Sequence, residues 1–70
     1  MFLTDLLFRL PPKVFVRIRF VGEMDTFCFT TGKRNTIQNV SKLTEQGKGT
    51  VKVNQIIPLW HAEELYIECS

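Results

Sequence analysis

No hydrophobic stretch in this chain approaches the ~20 residues needed to cross a bilayer as a helix. Cysteine is scarce, with only Cys28 and Cys69, and histidine and tryptophan occur once each, at His61 and Trp60. The segment Met1–Leu10 is apolar but lacks a basic opening, and Asp5 and Arg9 interrupt it. It does not read as a secretory signal, so a cytoplasmic protein with reduced thiols is expected. In that setting the sequon Asn39-Val40-Ser41 carries no meaning. The last seventeen residues contain no Lys or Arg.

That last absence makes the charge lopsided. Residues 1–53 carry all nine basic residues against four acids, while residues 54–70 carry only Glu63, Glu64 and Glu68. The overall net charge of +2 is too small to imply nucleic acid by itself. The asymmetry can steer a charged partner, or draw two ends of one fold or two subunits together. Seventy residues suffice for one domain, but at this size only about 60 % of the unfolded surface is buried, so each apolar residue must count.

What the chain does have is a strong central strand. In Val14-Phe15-Val16-Arg17-Ile18-Arg19-Phe20 the residues Val14, Val16, Ile18 and Phe20 recur at every second position. Successive strand side chains point to opposite faces, so this period marks a strand with one buried side, from about Lys13 to Val21. Before it, Leu3, Leu6, Leu7 and Leu10 form one helical stripe, with Thr4 or an upstream residue as the candidate cap, Asp5 suited to the first turn, and Pro11-Pro12 as the stop. A helix of about two turns is unstable alone and needs a sheet to lie on.

After the strand, Gly22 to Asp25 reads as a turn, and Thr26-Phe27-Cys28-Phe29-Thr30 alternates again. The resulting hairpin should bury Val16, Ile18, Phe20, Phe27 and Phe29, with Cys28 sharing the other face with Arg17 and Arg19. From Asn35 to Gln46 two readings compete. Ile37, Val40 and Leu43 are spaced by three, Asn35 with Gln38 approximates a capping box, and Gly47 suits a helix terminus, which together favour a helix. The β-branched Thr36, Ile37 and Val40 favour a strand. A further strand is expected from Thr50 to Ile57, with Val51, Val53 and Ile57 on one side and Lys52, Asn54 and Ile56 on the other. Pro58 ends it or marks an edge bulge. A connection over residues 59–63 leads to a last strand, with Leu65, Ile67 and Cys69 facing one way and Tyr66 and Glu68 the other.

The predicted order is αββαββ: an α+β two-layer domain with a four-stranded, mostly antiparallel sheet and both helices on one face. It equals a ferredoxin-like order with the first strand moved to the end. The chain resembles short bacteriophage and prophage proteins of helix–hairpin–helix–hairpin layout. The leucine-rich Leu3-Thr4-Asp5-Leu6-Leu7, the following proline, the strand Val16-Arg17-Ile18 and the closing Glu64-Leu65-Tyr66-Ile67-Glu68 carry the likeness. Lys33-Arg34 and Trp60-His61 depart from it. The resemblance implies a phage accessory role, such as interference with a host protein in the host cytoplasm, and supplies no functional residues.

Chemistry-bearing motifs are few. Cys28, His61 and Cys69 match no zinc spacing. Neither Cys28 nor His61 belongs to a nucleophile–base pattern, and Thr31-Gly32-Lys33 is a phosphate-loop fragment without its glycines. Glu63 and Glu64 are consecutive, diverge on a strand, and read as solvated acids. No enzyme and no cofactor is therefore expected. Two features remain. One is the sheet face opposite the helices, expected to carry Phe15, Arg17, Arg19, Lys52 and Tyr66. The other is Ile56-Ile57-Pro58-Leu59-Trp60-His61, in which Trp60 either plugs one end of the core or anchors a partner. Both suit a non-enzymatic module that docks a protein partner or a second copy of itself. Arginines interleaved with aromatics also suit nucleic acid, the alternative reading, although no RNA-recognition signature is present.

Overall fold

The computed structural model describes residues 1–70 and follows the expected order. Its elements are α1 (Leu3–Arg9), β1 (Phe15–Phe20), β2 (Thr26–Thr30), α2 (Lys33–Glu45), β3 (Val53–Leu59), a 3₁₀ turn (Trp60–Ala62) and β4 (Glu64–Cys69). The four strands form one mixed sheet in the order β2-β1-β4-β3. The two hairpins are antiparallel, and β1 and β4 run parallel at the centre. No helix is long and apolar enough to cross a membrane.

The alternation in β1 works as predicted. Val16, Ile18 and Phe20 are buried, while Arg17 and Arg19 are exposed. They join Phe29 of β2 and Ile67 and Cys69 of β4 in one core cluster with Leu3, Leu6 and Leu7 of α1 and Val40 and Leu43 of α2. Both helices therefore cover the same side of the sheet. Phe27 is half-buried and meets Phe29 edge-on, with ring centroids 6.1 Å apart.

Strand order departs from the permuted ferredoxin-like arrangement. That plan would set the second strand of the first hairpin beside β4, yet β1 takes the place. The sequence of each strand explains the choice. A central strand buries one whole face and bonds along both edges, and β1 has the fully apolar inward set to do so. β2 is flanked by threonines, and β3 contains Pro58, whose missing N–H is tolerated at a sheet edge. Pro58 accordingly lies within β3 rather than ending it.

The helical reading of residues 35–46 holds, over Lys33–Glu45 with Gln46 as the C-cap, but the buried stripe is Thr36, Asn39, Val40 and Leu43. Ile37 is 55 % exposed. A spacing of three drifts around a helix of 3.6 residues per turn, so Ile37 rotates out of the stripe that Val40 and Leu43 share. The predicted capping box is not formed. Asn35 lies inside the helix, where its side-chain amide donates to the Thr30 carbonyl. The N-cap is Gly32, whose N–H is accepted by Thr36 Oγ1 at 3.1 Å. The C-terminus is a Schellman motif: Gly47 N–H donates to Thr44 O, Lys48 N–H donates to Leu43 O, and Gly47 takes the left-handed φ of +78°. Thr4 likewise does not cap α1. Phe2 occupies that position, and the Thr4 hydroxyl donates to Gly49 O instead.

The third strand begins later than expected, at Val53, and a bulge separates Val53 from Gln55. Val53 lies opposite Cys69 on the helix side, but after the bulge Ile56 lies opposite Ile67 and Ile57 opposite Tyr66. One extra residue reverses the face of all that follows. Ile57 therefore joins the open face and Ile56 the helix side, the reverse of the predicted assignment. Ahead of the bulge, Met1 and Leu3 bond to Val53 and Val51, so the first residues pair along the outer edge of β3.

Candidate interaction surface

The open side of the sheet is ordered in rows by strand register. One row reads Thr30, Phe15, Glu64, Leu59; the next Cys28, Arg17, Tyr66, Ile57; the third Thr26, Arg19, Glu68, Gln55. Phe15, Arg17, Arg19 and Tyr66 thus meet on one face as predicted. Their neighbours were only partly foreseen. Ile57 and Leu59, 38 % and 43 % exposed, extend the aromatic end of the face, and the bulge brings Ile57 there. The only sign of it in the sequence is the adjacency of Ile56 and Ile57, which breaks strict alternation.

Electrostatics on this face are balanced. Arg17 Nε lies 2.9 Å from Glu64 Oε1, and the Glu64 side chain is only 15 % exposed between Phe15 and Leu59. Glu64 is therefore a half-buried ion-pair partner rather than a solvated acid. Burial between apolar neighbours lowers the local dielectric, and a carboxylate there needs a cation. Glu68 stands opposite Arg19 in the parallel ladder. Lys52 lies at the other end of β3 from Trp60, where its carbonyl accepts Ser70 N–H. At ~3.3 Å per residue, eight residues of extended chain set the two about 25 Å apart. The six predicted binding residues thus divide into the group Phe15, Arg17, Arg19 and Tyr66, with Trp60 off one end and Lys52 off the other.

Trp60 does not plug the core. It is 82 % exposed on the 3₁₀ turn, whereas Phe20 and Phe29 are buried in the core and Phe27 packs against it. Beside it runs an apolar groove of about 510 Å³. One wall is the α1–β1 connector, Leu10 to Val14, and the other is Pro58, Leu59, Trp60 and the start of β4. The two non-glycine residues with left-handed φ, Lys13 at +67° and Glu63 at +50°, both line it. Thr31 holds the connector wall. Its buried hydroxyl donates to Pro11 O at 2.6 Å and accepts Val14 N–H at 3.0 Å, while its backbone exchanges bonds with Lys13 and Val14. Sequence reasoning noted the two prolines only as a helix stop, because nothing local says that they will stand opposite Trp60.

The remaining candidate groups are separated. Cys28 is exposed on the open face, Cys69 is buried in the core, and His61 is exposed on the 3₁₀ turn. No group of three or more His, Cys, Asp or Glu side chains is arranged to hold a metal ion. Burial, assisted by the nearby Glu68 carboxylate, pushes the Cys69 thiol up to about 11. Compared with protein-family models, with curated proteins and with solved structures, the chain matches none.

Proposed function

We infer that this chain is a small non-enzymatic protein-interaction module. Its docking surface is the Trp60 groove together with the adjoining apolar end of the open sheet face. The observation that carries this reading is Trp60 itself: a large ring held 82 % exposed beside an apolar groove, at a cost in solvation that packing within the chain does not offset. Tryptophan buries much area at little entropic cost and is enriched among residues that dominate binding energy. Phe15, Ile57, Leu59 and Tyr66 extend the contact, and the Arg17–Glu64 pair gives it a polar, oriented feature. A phage accessory protein that binds and inhibits a host protein is the concrete form consistent with the layout.

Nucleic acid is the less favoured partner because Glu64 and Glu68 interleave with Arg17 and Arg19, and Lys52 lies apart from them. Capture from a bacterial lysate, wild type against Trp60→Ala, tests the choice. A specific protein retained by wild type should be lost, with affinity falling by roughly 30-fold or more for a dominant anchor. Equal retention by both would overturn the groove assignment. Binding to mixed-sequence nucleic acid that falls steeply as salt is raised would overturn the protein reading in favour of phosphate contacts.

A further inference from the structure

We propose that two copies of this chain pair through the free edge of β2, forming a two-fold dimer with one continuous eight-stranded sheet. Two hydrogen bonds reveal which backbone groups of β2 face outward. Thr31 N–H donates to Val14 O, and Phe15 N–H turns the other way to Glu63 O. With the register of β1 on β2, this phase directs the N–H and C=O of Phe27 and Phe29 toward β1. Those of Thr26, Cys28 and Thr30 therefore point away from the sheet, and the Thr30 carbonyl already receives the Asn35 amide.

An open edge is a template for another strand, and proteins ordinarily blunt it with proline, charge, a bulge or a covering segment. The outer edge of β3 has three of these: Pro58, the bulge after Val53, and the pairing of Met1 and Leu3. β2 has no proline, no bulge and no charge in Thr26-Phe27-Cys28-Phe29-Thr30.

That segment also reads the same in both directions. Antiparallel pairing centred on Cys28 sets Cys28 opposite Cys28, Thr26 opposite Thr30, and Phe27 opposite Phe29 of the second copy. Such self-complementarity is what a two-fold interface requires. The two Cys28 residues exchange a pair of edge hydrogen bonds, and Thr30 N–H of each copy donates to Thr26 O of the other, while the Thr30 carbonyl keeps the Asn35 amide. Phe27, half-buried in one copy, gains the second copy's Phe29 as a close cross-strand neighbour. The flanks are charge-complementary in the same register. Asp25 precedes the strand and Lys33 and Arg34 follow it, so antiparallel pairing brings the acidic end of each copy to the basic end of the other, Glu23 being paired with Lys48 of its own chain. Asp25, Lys33 and Arg34 are all exposed and form no ion pair within the chain. The two-fold axis is perpendicular to the sheet, so both open faces and both Trp60 grooves point to one side. The dimer presents the proposed docking surface twice.

Sedimentation velocity and native mass measurement of the full chain over a dilution series should give a closed dimer. A short bis-maleimide should link Cys28 to Cys28, with buried Cys69 contributing nothing. Cys28→Pro removes an N–H that β1 does not use and should weaken the dimer roughly tenfold or more. Circular dichroism checks that its fold survives. Asp25→Lys keeps β2 intact and should weaken the dimer about tenfold, with Lys33→Asp in the same chain restoring it. Trp60→Ala should leave it unchanged. A monomer at every concentration, open-ended aggregates, or a dimer sensitive to Trp60→Ala but not to Cys28→Pro or Asp25→Lys would overturn the proposal.

Discussion

Stability and hydrophobicity should part company in this chain, and Ile67 and Trp60 make the sharpest comparison. Ile67 is fully buried in β4, between Ile18 on one side and Ile56 on the other. Shortening it to Val deletes one methylene, worth ~0.8 kcal/mol in transfer, and the unfilled space raises the cost to about 1 kcal/mol. Ile67→Ala deletes about three carbons and should cost about 3–4 kcal/mol. A domain of 70 residues has a total stability of only about 3.5–10 kcal/mol, so the Ala variant should be partly or wholly unfolded. Trp60→Ala removes the largest side chain in the protein yet should change stability by less than about 0.5 kcal/mol, because that ring is already in water. Urea titration followed by far-UV circular dichroism measures all three, with an unchanged slope showing that the comparison is sound. In thermal unfolding Ile67→Val should lower the midpoint by roughly 4–8 °C. A Trp60→Ala loss equal to or larger than that of Ile67→Val would refute the reasoning, since it would mean that Trp60 packs against the domain.

Two further outcomes follow from the groove wall and the core thiol. Thr31→Val keeps shape but leaves Pro11 O and Val14 N–H without their partner, and should cost about 1–3 kcal/mol in the same urea titration. A neutral result would mean that water replaces the hydroxyl there. The Cys69 thiol is raised from 9.0 to about 11, so the native state holds its proton more tightly than the unfolded chain. Its contribution is complete below pH 9 and is lost as pH rises toward 11, an upper limit of about 2.7 kcal/mol at 1.36 kcal/mol per pH unit. Subtracting the pH profile of Cys69→Ala from that of wild type isolates it, and identical slopes above pH 9 would disprove the linkage.

Most element types were legible from local pattern, the exception being residues 35–46, where helix and strand signals competed. Alternation in β1, β2 and β4 and the leucine spacing of α1 fix which side of each element is apolar, because side-chain direction repeats every two residues in a strand and every 3.6 in a helix. Gly47 was readable as a helix terminus for an equally local reason, its freedom to take positive φ. The face carrying Phe15, Arg17, Arg19 and Tyr66 followed from that alternation. Ile37 was misplaced because a three-residue spacing is too short a sample to fix helical phase.

The rest depended on partners distant in the chain. Which strand of the first hairpin lies beside β4 is decided by which can bury a whole face and bond on both edges. The reversal of Ile56 and Ile57 arises from a bulge defined only against β4. Glu64 becomes half-buried because Phe15 and Leu59 arrive on either side, and Arg17 then neutralises it. Trp60 stays in water for a reason of reach. Seven- and thirteen-residue helices span about 10 and 20 Å, and neither covers the β3 margin, where even the helix-side Ile56 is 41 % exposed. Sequence pattern determined what each segment is. Only the tertiary structure decided what each segment stands beside, because adjacency is a property of surfaces that have already met.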